Sequence, residues 1–479
     1  MRYIEGTSRT QIILFPESLD EYIAEDNIVR FVEAYVNSLS MKELGFTYSE
    51  PKETGRKAYN PSDMLKLYIY GYMRKIRSSR HLESETLRNV ELMWLIKKLH
   101  PDFKTISDFR KDNIDSIKKV CREFTIFCRK LNLLGSELLA IDGSKFKALN
   151  SKEKCYTKNF MKKELKEIDA KINEYLESIE YSDKKDEKFS KIKPEELNQV
   201  LENLENDRKA IEEMLKEIDS GEAEQISKTD ADSRMMKTPG NGYQVSYNAQ
   251  IAVDSKHHII VESEVTNEQN DIKCLSQIAK KSKQVLEVDK LKVVCDSGYF
   301  SEKEIYNCEK NNIDCYVAIP RKFSNESQGM YSLREFKYDP ATDTYLCPQN
   351  KEMTYRYTYI KGNRALKRYE CSECKRCQFK KQCTSSKGNR YISRSEFEDV
   401  IQNLRERMRE NKKILRIRSK TVEHIFGTMK QWLGYGGGFL LKGLNKVNGE
   451  FSLISMVYNM KRALKLMGTK KLIESLAVT

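Results

Sequence analysis

The chain lacks an apolar run long enough to cross a bilayer. Its most hydrophobic late stretch, Phe451 to Met460, falls far short of the ~20 residues a spanning helix needs. The segment Met1 to Gln11 holds no long apolar core before the first helical pattern and so does not read as a secretory leader. The 12 cysteines do not follow the spacing of a small disulfide scaffold either. Most of them, such as Cys121, Cys128 and Cys295, sit singly in apolar runs, as reduced thiols do. These absences exclude the membrane-spanning and disulfide-rich secreted classes. The expectation is a soluble, cytoplasmic protein with no membrane partner.

Size and positive charge are what the sequence does have. A chain of 479 residues exceeds one small domain and points to two or three. A hydrophobic fraction of 39% with 10% aromatics is enough for real cores. Lys and Arg total 85 against 71 Asp and Glu, a net charge of +14. Such a surplus favours polyanionic partners, nucleic acid first. Charge alone is equally compatible with a lysine-rich protein that is merely kept dispersed.

Residues 1–135 read as an all-helical N-terminal domain. Leu19, Tyr22, Ile23, Ile28, Val29, Val32 and Tyr35 recur at helical spacing through Ser18 to Val36, and Asn60-Pro61-Ser62 opens a second helix. Basic residues Arg74, Lys75, Arg77 and Arg80 follow, then a long helical pattern from Asp112 to Leu133. Short helices with basic turns can lay a helix in a DNA groove; packing or dimerisation is the plainer role.

From Ser136 the texture changes. Leu138 to Ile141 is a short apolar strand ending at Asp142, and Gly242 to Val253 alternates as a second strand with a hairpin partner at His258 to Val265. A helix over Asp271 to Leu286, a strand Leu291 to Cys295 ending at Asp296, a helix Ser301 to Asn311 and a strand Cys315 to Ile319 follow. The expected core, residues 136–320 and 395–479, is a mixed α/β sheet with helices on both faces. Two insertions interrupt it. A charged helical hairpin occupies 160–220, its second helix starting at Pro194, and its plain reading is a solvated spacer or self-association arm. A segment rich in Tyr, Lys and Cys spans 321–394.

Asp142 and Asp296 each close an apolar strand before a glycine-containing turn. Carboxylates there sit on a sheet rim, open to a ligand on a rigid backbone. Glu423 adjoins the helical stripe Val422, Ile425, Phe426 and Met429, at the boundary between core and cleft. Three such carboxylates suit Mg²⁺, which takes a few carboxylates plus water and phosphate. Two ions about 3.5–4 Å apart can serve a phosphodiester displacement. A strand-end Asp is also an ordinary turn former. Asp230, Asp232 and Asp254 are rival acids, as secondary ligands or loop formers, and His424 beside Glu423 could position a water or simply pack.

Ile141-Asp142-Gly143-Ser144, Val294-Cys295-Asp296-Ser297-Gly298-Tyr299 and Val422-Glu423-His424-x-Phe426-Gly427-x-x-Lys430 together resemble the bacterial insertion-sequence transposases of the DDE class. The resemblance extends to Gly55 through Pro61, to Ser107 through Arg110, and to the blocks Thr229 to Arg234 and Tyr247 to Gln250. It implies an RNase H-like catalytic core and a metal site of Asp142, Asp296 and Glu423 holding two Mg²⁺ or Mn²⁺ ions. It also implies that Lys430, seven positions after Glu423, contacts DNA near the cleaved end. Many relatives carry an arginine four residues before the glutamate; here that position is Ser419, with Arg418 or Lys420 as substitutes. The implied partners are double-stranded DNA, both element ends and target, and further copies of the chain in a homodimer or larger assembly.

Cys371-x-x-Cys374-x-x-Cys377-x5-Cys383, with Cys347 upstream, offers thiolates for a structural Zn²⁺. Free thiols and an iron–sulfur cluster are the other readings. The functional expectation is a DNA transposase that binds terminal inverted repeats and catalyses metal-dependent cleavage and strand transfer. The alternatives are an inactive transposase-derived DNA-binding protein and a nuclease without strand transfer.

Overall fold

The computed structural model describes residues 18–50, 57–150, 155–183, 194–220, 225–227, 229–238, 240, 242–320, 330–361 and 364–477. It is a mixed α/β structure that opens on six helices: α1 (Ile28–Asn37), α2 (Pro61–Met73), α3 (Ser79–Thr86), α4 (Val90–Leu95), α5 (Phe103–Asp112) and α6 (Ile114–Lys130). Asn27, Asn60, Asn89 and Asp102 start four of them by accepting a backbone N–H from the first turn. The helix expected from Ser18 starts only at Ile28, because Asn27 is extended and its side chain accepts from Val29 N at 3.0 Å. Leu19–Tyr22 form a separate 3₁₀ turn.

Next come β1 (Leu138–Lys147), β2 (Cys155–Thr157), α7 (Lys158–Asp183), α8 (Pro194–Asp219), β3 (Gln225–Ser227), β4 (Arg234–Thr238), β5 (Gly242–Asp254) and β6 (Ile260–Thr266). They are followed by α9 (Leu275–Leu286), β7 (Leu291–Cys295), α10 (Glu302–Glu309) and β8 (Ile313–Val317). The central sheet runs β4-β5-β1-β7-β8, with β6 beside β5 on the edge that also carries β4. β1 is antiparallel to β5 and parallel to β7, and β7 is parallel to β8.

β1 differs from its expected extent. It does not stop at Asp142 but continues to Lys147, because the long β5 supplies antiparallel partners as far as Ser246. On its other side the parallel pairing ends at Ala140 with Val294. Asp142 therefore sits mid-strand, just past the point where β7 gives out. β8 runs from Ile313, two residues before the expected Cys315.

The Tyr-rich segment forms its own antiparallel sheet: β9 (Lys337–Asp339), β10 (Thr344–Leu346), β11 (Glu352–Lys361), β12 (Arg364–Glu370) and β13 (Tyr391–Ser395), in the order β13-β12-β11-β10-β9. A short helix α11 (Lys380–Cys383) lies between β12 and β13. The chain then ends in α12 (Glu398–Glu410), α13 (Ile414–Gly427), α14 (Leu444–Met467) and α15 (Thr469–Leu476).

α14 is buried along most of its length and packs on both α6 and β6. Its Asn459 accepts from Ile260 N and donates to Ile260 O, both at 2.8 Å, while Asn448 accepts from Val265 N at 3.1 Å. These amides satisfy backbone groups on the outer side of β6 that would otherwise be left open. Residues of the N-terminal helices, the sheet and α13–α14 belong to one continuous hydrophobic cluster. The five-stranded sheet and the α7–α8 hairpin have separate small cores. In the hairpin, Ile168 is buried but Leu176 is 47% exposed, so packing weakens away from the root; Ile179 and Leu197 of the expected stripes lie outside the described side chains.

Candidate active site

Alternation along β1 sorts its residues onto two faces. Asp142, Ser144 and Phe146 face α13 and the turn after it, and Phe146 packs among Phe426, Phe439 and Phe451. Gly143 and Lys145 face the turn before α9. Two residues beyond the Ala140–Val294 pair lie Asp142, still within β1, and Asp296, just past the end of β7, near enough for Asp296 to raise the Asp142 carboxyl. Asp296 also closes a turn, its carboxylate accepting from Gly298 N at 2.8 Å.

Glu423 lies on α13, whose Val422, Ile425 and Phe426, with Met429 just beyond, are buried as the spacing predicts. Its own side chain is 62% exposed. Arg418, one turn earlier, ties the helix to the strand. Its guanidinium lies 3.2 Å from Asp142 Oδ2 and 3.9 Å from Glu423 Oε1. Lys420 is exposed on the same helix. After Gly427 the helix widens into a π turn, Thr428–Trp432, in which Leu433 N donates to Thr428 O. Lys430 sits in that turn rather than on the α-helix. It points inward, donating to Ser144 Oγ at 2.7 Å with its ammonium 4.7 Å from the Phe146 ring.

The electrostatics follow from burial. Asp142 is pushed up to about 6, chiefly by burial, with Asp296 and Asp271 raising it further and Arg418 and the Gly143 N–H opposing. Burial also lowers Lys430, which loses hydration between Phe146 and the strand. Among the described residues no three His, Cys, Asp or Glu side chains converge closely enough to hold a metal ion. Arg418 stands between two of the candidate carboxylates, and Glu423 turns outward.

Sequence patterning does not single out Asp271. It accepts from Asn248 Nδ2 at 2.8 Å and Gln250 Nε2 at 2.7 Å, and Lys145 Nζ lies 3.7 Å away. Tyr299, fully buried, donates to Gln250 Oε1. A Cβ at position 143 would fall 2.8 Å from Asp271 Oδ1, so only glycine lets this network close against β1. The one signal available in the sequence is a pair of amides, Asn248 and Gln250, two apart among the alternating residues of β5.

The rival acids have structural partners. Asp230 is 3% exposed, accepting from Tyr247 OH at 2.7 Å and Gly443 N at 3.0 Å. Asp232 accepts from Leu444 N at 2.7 Å, capping α14. Asp254 holds the turn into β6 by accepting from Gly135 N, Lys256 N and His257 N. His424 faces His258, with ring centroids 5.0 Å apart, and is lowered by burial.

Cys347, Cys371, Cys374, Cys377 and Cys383 all line one cavity of about 30 Å³ against the inner face of the five-stranded sheet. Cys371 is pushed up to about 11 by burial, so its thiol is neutral there.

Two family models match the chain. One, described as a transposase domain (DUF772), covers residues 17–112 and thus α1–α5. The other, described as a transposase DDE domain, covers residues 346–464, which include the cysteines, Arg418, Glu423 and Lys430 but neither Asp142 nor Asp296. No curated protein matches. Among solved structures, a cryo-EM structure of piggyBac transposase in a synaptic complex with hairpin DNA aligns with 94% of this chain and 79% of that one. The identity is 10% and the TM-score 0.30, too slight a likeness to establish a shared fold. Together the two family matches support a DDE-type transposase of the insertion-sequence kind as the family of this chain.

Proposed function

We propose that the chain binds the terminal inverted repeats of a mobile element, cleaves a DNA strand there, and joins the freed 3′-hydroxyl to a target phosphodiester. The observation that carries this reading is the placement of Asp142, inside β1 just past its pairing with β7, near Asp296, the residue after β7, with Arg418 between Asp142 and Glu423 of α13. The strand order supports an RNase H-like core: β6, β5 and β1 form an antiparallel meander, and β7 and β8 continue parallel to β1.

The donor set fits hard divalent cations, Mg²⁺ or Mn²⁺, because it is carboxylate oxygen throughout and Asp142 sits where burial, with Asp296 and Asp271 adding to it, disfavours its charge. When bound, such ions supply charge neutralisation and polarise the attacking and leaving oxygens. Asp142, Asp296 and Glu423 would hold them. Arg418 has to move off for Asp142 and Glu423 to turn to a shared cation, and with Lys420 it is then placed to meet a phosphate. Lys430, fixed on Ser144, orients the strand being cut.

In this reading residues 1–135 and the basic surfaces grip the element ends, and two or more copies pair them. The α7–α8 hairpin is an arm available to that assembly. The five cysteines line one cavity but do not converge as they stand, so a structural Zn²⁺ would have to draw four of their thiolates together. Metal analysis of the purified chain is expected to find zinc, lost from a variant with Cys374→Ser and Cys377→Ser; a zinc-free wild type would remove this part.

Nicking of supercoiled plasmid in Mg²⁺ tests the chemistry. Asp142→Ala is expected to lose nicking by at least about a hundredfold, since a cation ligand is gone. Equal nicking by both proteins would overturn the assignment. Labelled element ends should appear joined to target DNA, which a nuclease alone does not produce.

A further inference from the structure

The outer face of the five-stranded sheet is an aromatic and basic surface that the proposed chemistry does not use. Between residues 330 and 395 the chain carries 15 Lys and Arg against six Asp and Glu, nine of its net +14, together with eight of its 26 tyrosines. Register and pleat divide these between two faces. Tyr345, Met353, Tyr369 and Ile392 point into the small core. Tyr357, Arg368 and Ser393 lie opposite one another across β11, β12 and β13 on the other face, joined there by Tyr359 and Tyr391.

On that face Tyr357 is 46% and Tyr391 47% exposed. Arg368 lies between them, its guanidinium carbon 3.8 Å from the Tyr391 ring centroid and 5.5 Å from that of Tyr357, while Nη1 donates to Tyr357 OH at 2.8 Å. Tyr359 OH is fixed on Ser393 Oγ at 2.9 Å, and its ring meets Tyr357 edge-on at 6.1 Å. Lys361 extends the charge along β11, and Arg364, opposite it at the hairpin, is paired with Glu302 at 3.0 Å. Two nearly half-exposed rings, Tyr357 and Tyr391, are thus held around a guanidinium, with the less exposed Tyr359 beside them. That much exposed aromatic surface costs solubility and offers a platform of a definite kind.

We infer that this face binds an unpaired DNA strand, stacking its bases on Tyr357, Tyr359 and Tyr391 while the surrounding cations meet its phosphates. The excess of cations selects a polyanion. Exposed rings select one that can present π-faces, which stacked duplex does not and unpaired bases do. A DNA end opened for cleavage supplies such a strand. The inference therefore rests on DNA being the partner, and it adds which form of DNA this sheet takes.

The test uses the full-length chain and fluorescence anisotropy with a labelled oligothymidylate and a labelled duplex of equal length at one fixed salt concentration. The doubly substituted Tyr357→Ala, Tyr391→Ala protein is expected to bind the single strand about tenfold or more weakly, with duplex binding changed less than about twofold. The Tyr357→Phe, Tyr391→Phe protein keeps the rings and should bind like wild type, which also separates stacking from loss of the fold. Equal losses on both DNAs, or no loss on the single strand, would overturn the inference. Wild-type chain that binds neither DNA would instead remove the underlying reading.

Discussion

At the residue scale the centre of interest is a carboxyl group held away from its comfortable state. Asp142 is pushed up to about 6, against 3.8 ordinarily, so the folded chain holds its proton more tightly than the unfolded chain does. Without divalent cations, Asp142 therefore favours folding most below pH 3.8, and that contribution is lost as pH rises through about 6. Asp142→Asn is expected to be more stable than wild type at neutral pH in chelator, by roughly 1–2 kcal/mol, and catalytically dead. Thermal melts of both proteins across this pH range check it; equal melting curves would show that the carboxylate is not under this stress. Asp142, Asp296 and Glu423 could be picked out of the sequence because each adjoins an apolar pattern that fixes its element. Asp271 could not, since it lies just after the polar turn Asn267 to Asn270 and before α9, where an acid reads as a helix start. Its importance appears only when Asn248, Gln250 and Lys145 arrive from strands far away in the chain.

At the element scale, alternation and turn residues marked the main strands of the central sheet, but extents followed partners rather than hydrophobicity. β1 outlasts its apolar run because β5 keeps pairing with it, which places Asp142 inside a strand rather than at its end. The wide turn after α13 was likewise hidden: Thr428 to Trp432 contains no Pro, and only the packing of Met429 and Lys430 shows the change of pitch. The glycine-rich loop after that turn is held by charges no local pattern reveals. Glu450 of α14, fully buried, accepts from Leu440 N at 3.1 Å and Leu441 N at 3.2 Å, and Arg77 donates to Gly438 O at 2.7 Å. Burial raises Glu450, and Arg110 and Arg77 oppose that. Glu450→Ala strands two backbone donors and removes the buried negative charge near Arg110 and Arg77, and is expected to destabilise the chain by about 3–5 kcal/mol. Denaturant unfolding measures this; a loss under about 1 kcal/mol would mean that water replaces the carboxylate.

At the scale of the whole molecule, the N-terminal helices and the sheet share one hydrophobic cluster, with α14 packed against both α6 and β6. A surface that grips DNA on those helices would thus be coupled mechanically to the strands carrying Asp142 and Asp296. The charged hairpin and the Tyr-rich sheet keep their own small cores. The acids themselves come from three distant stretches of chain, and the claim that they serve one cation site is tested most directly by cation-directed cleavage. Fe²⁺ with ascorbate and peroxide generates hydroxyl radicals at a bound ion and cuts the backbone nearest to it. The expected result is three cuts, beside Asp142, Asp296 and Glu423, all suppressed by excess Mg²⁺ and absent from Asp142→Asn. Cuts beside only one of these residues, or cuts that Mg²⁺ does not compete away, would contradict it.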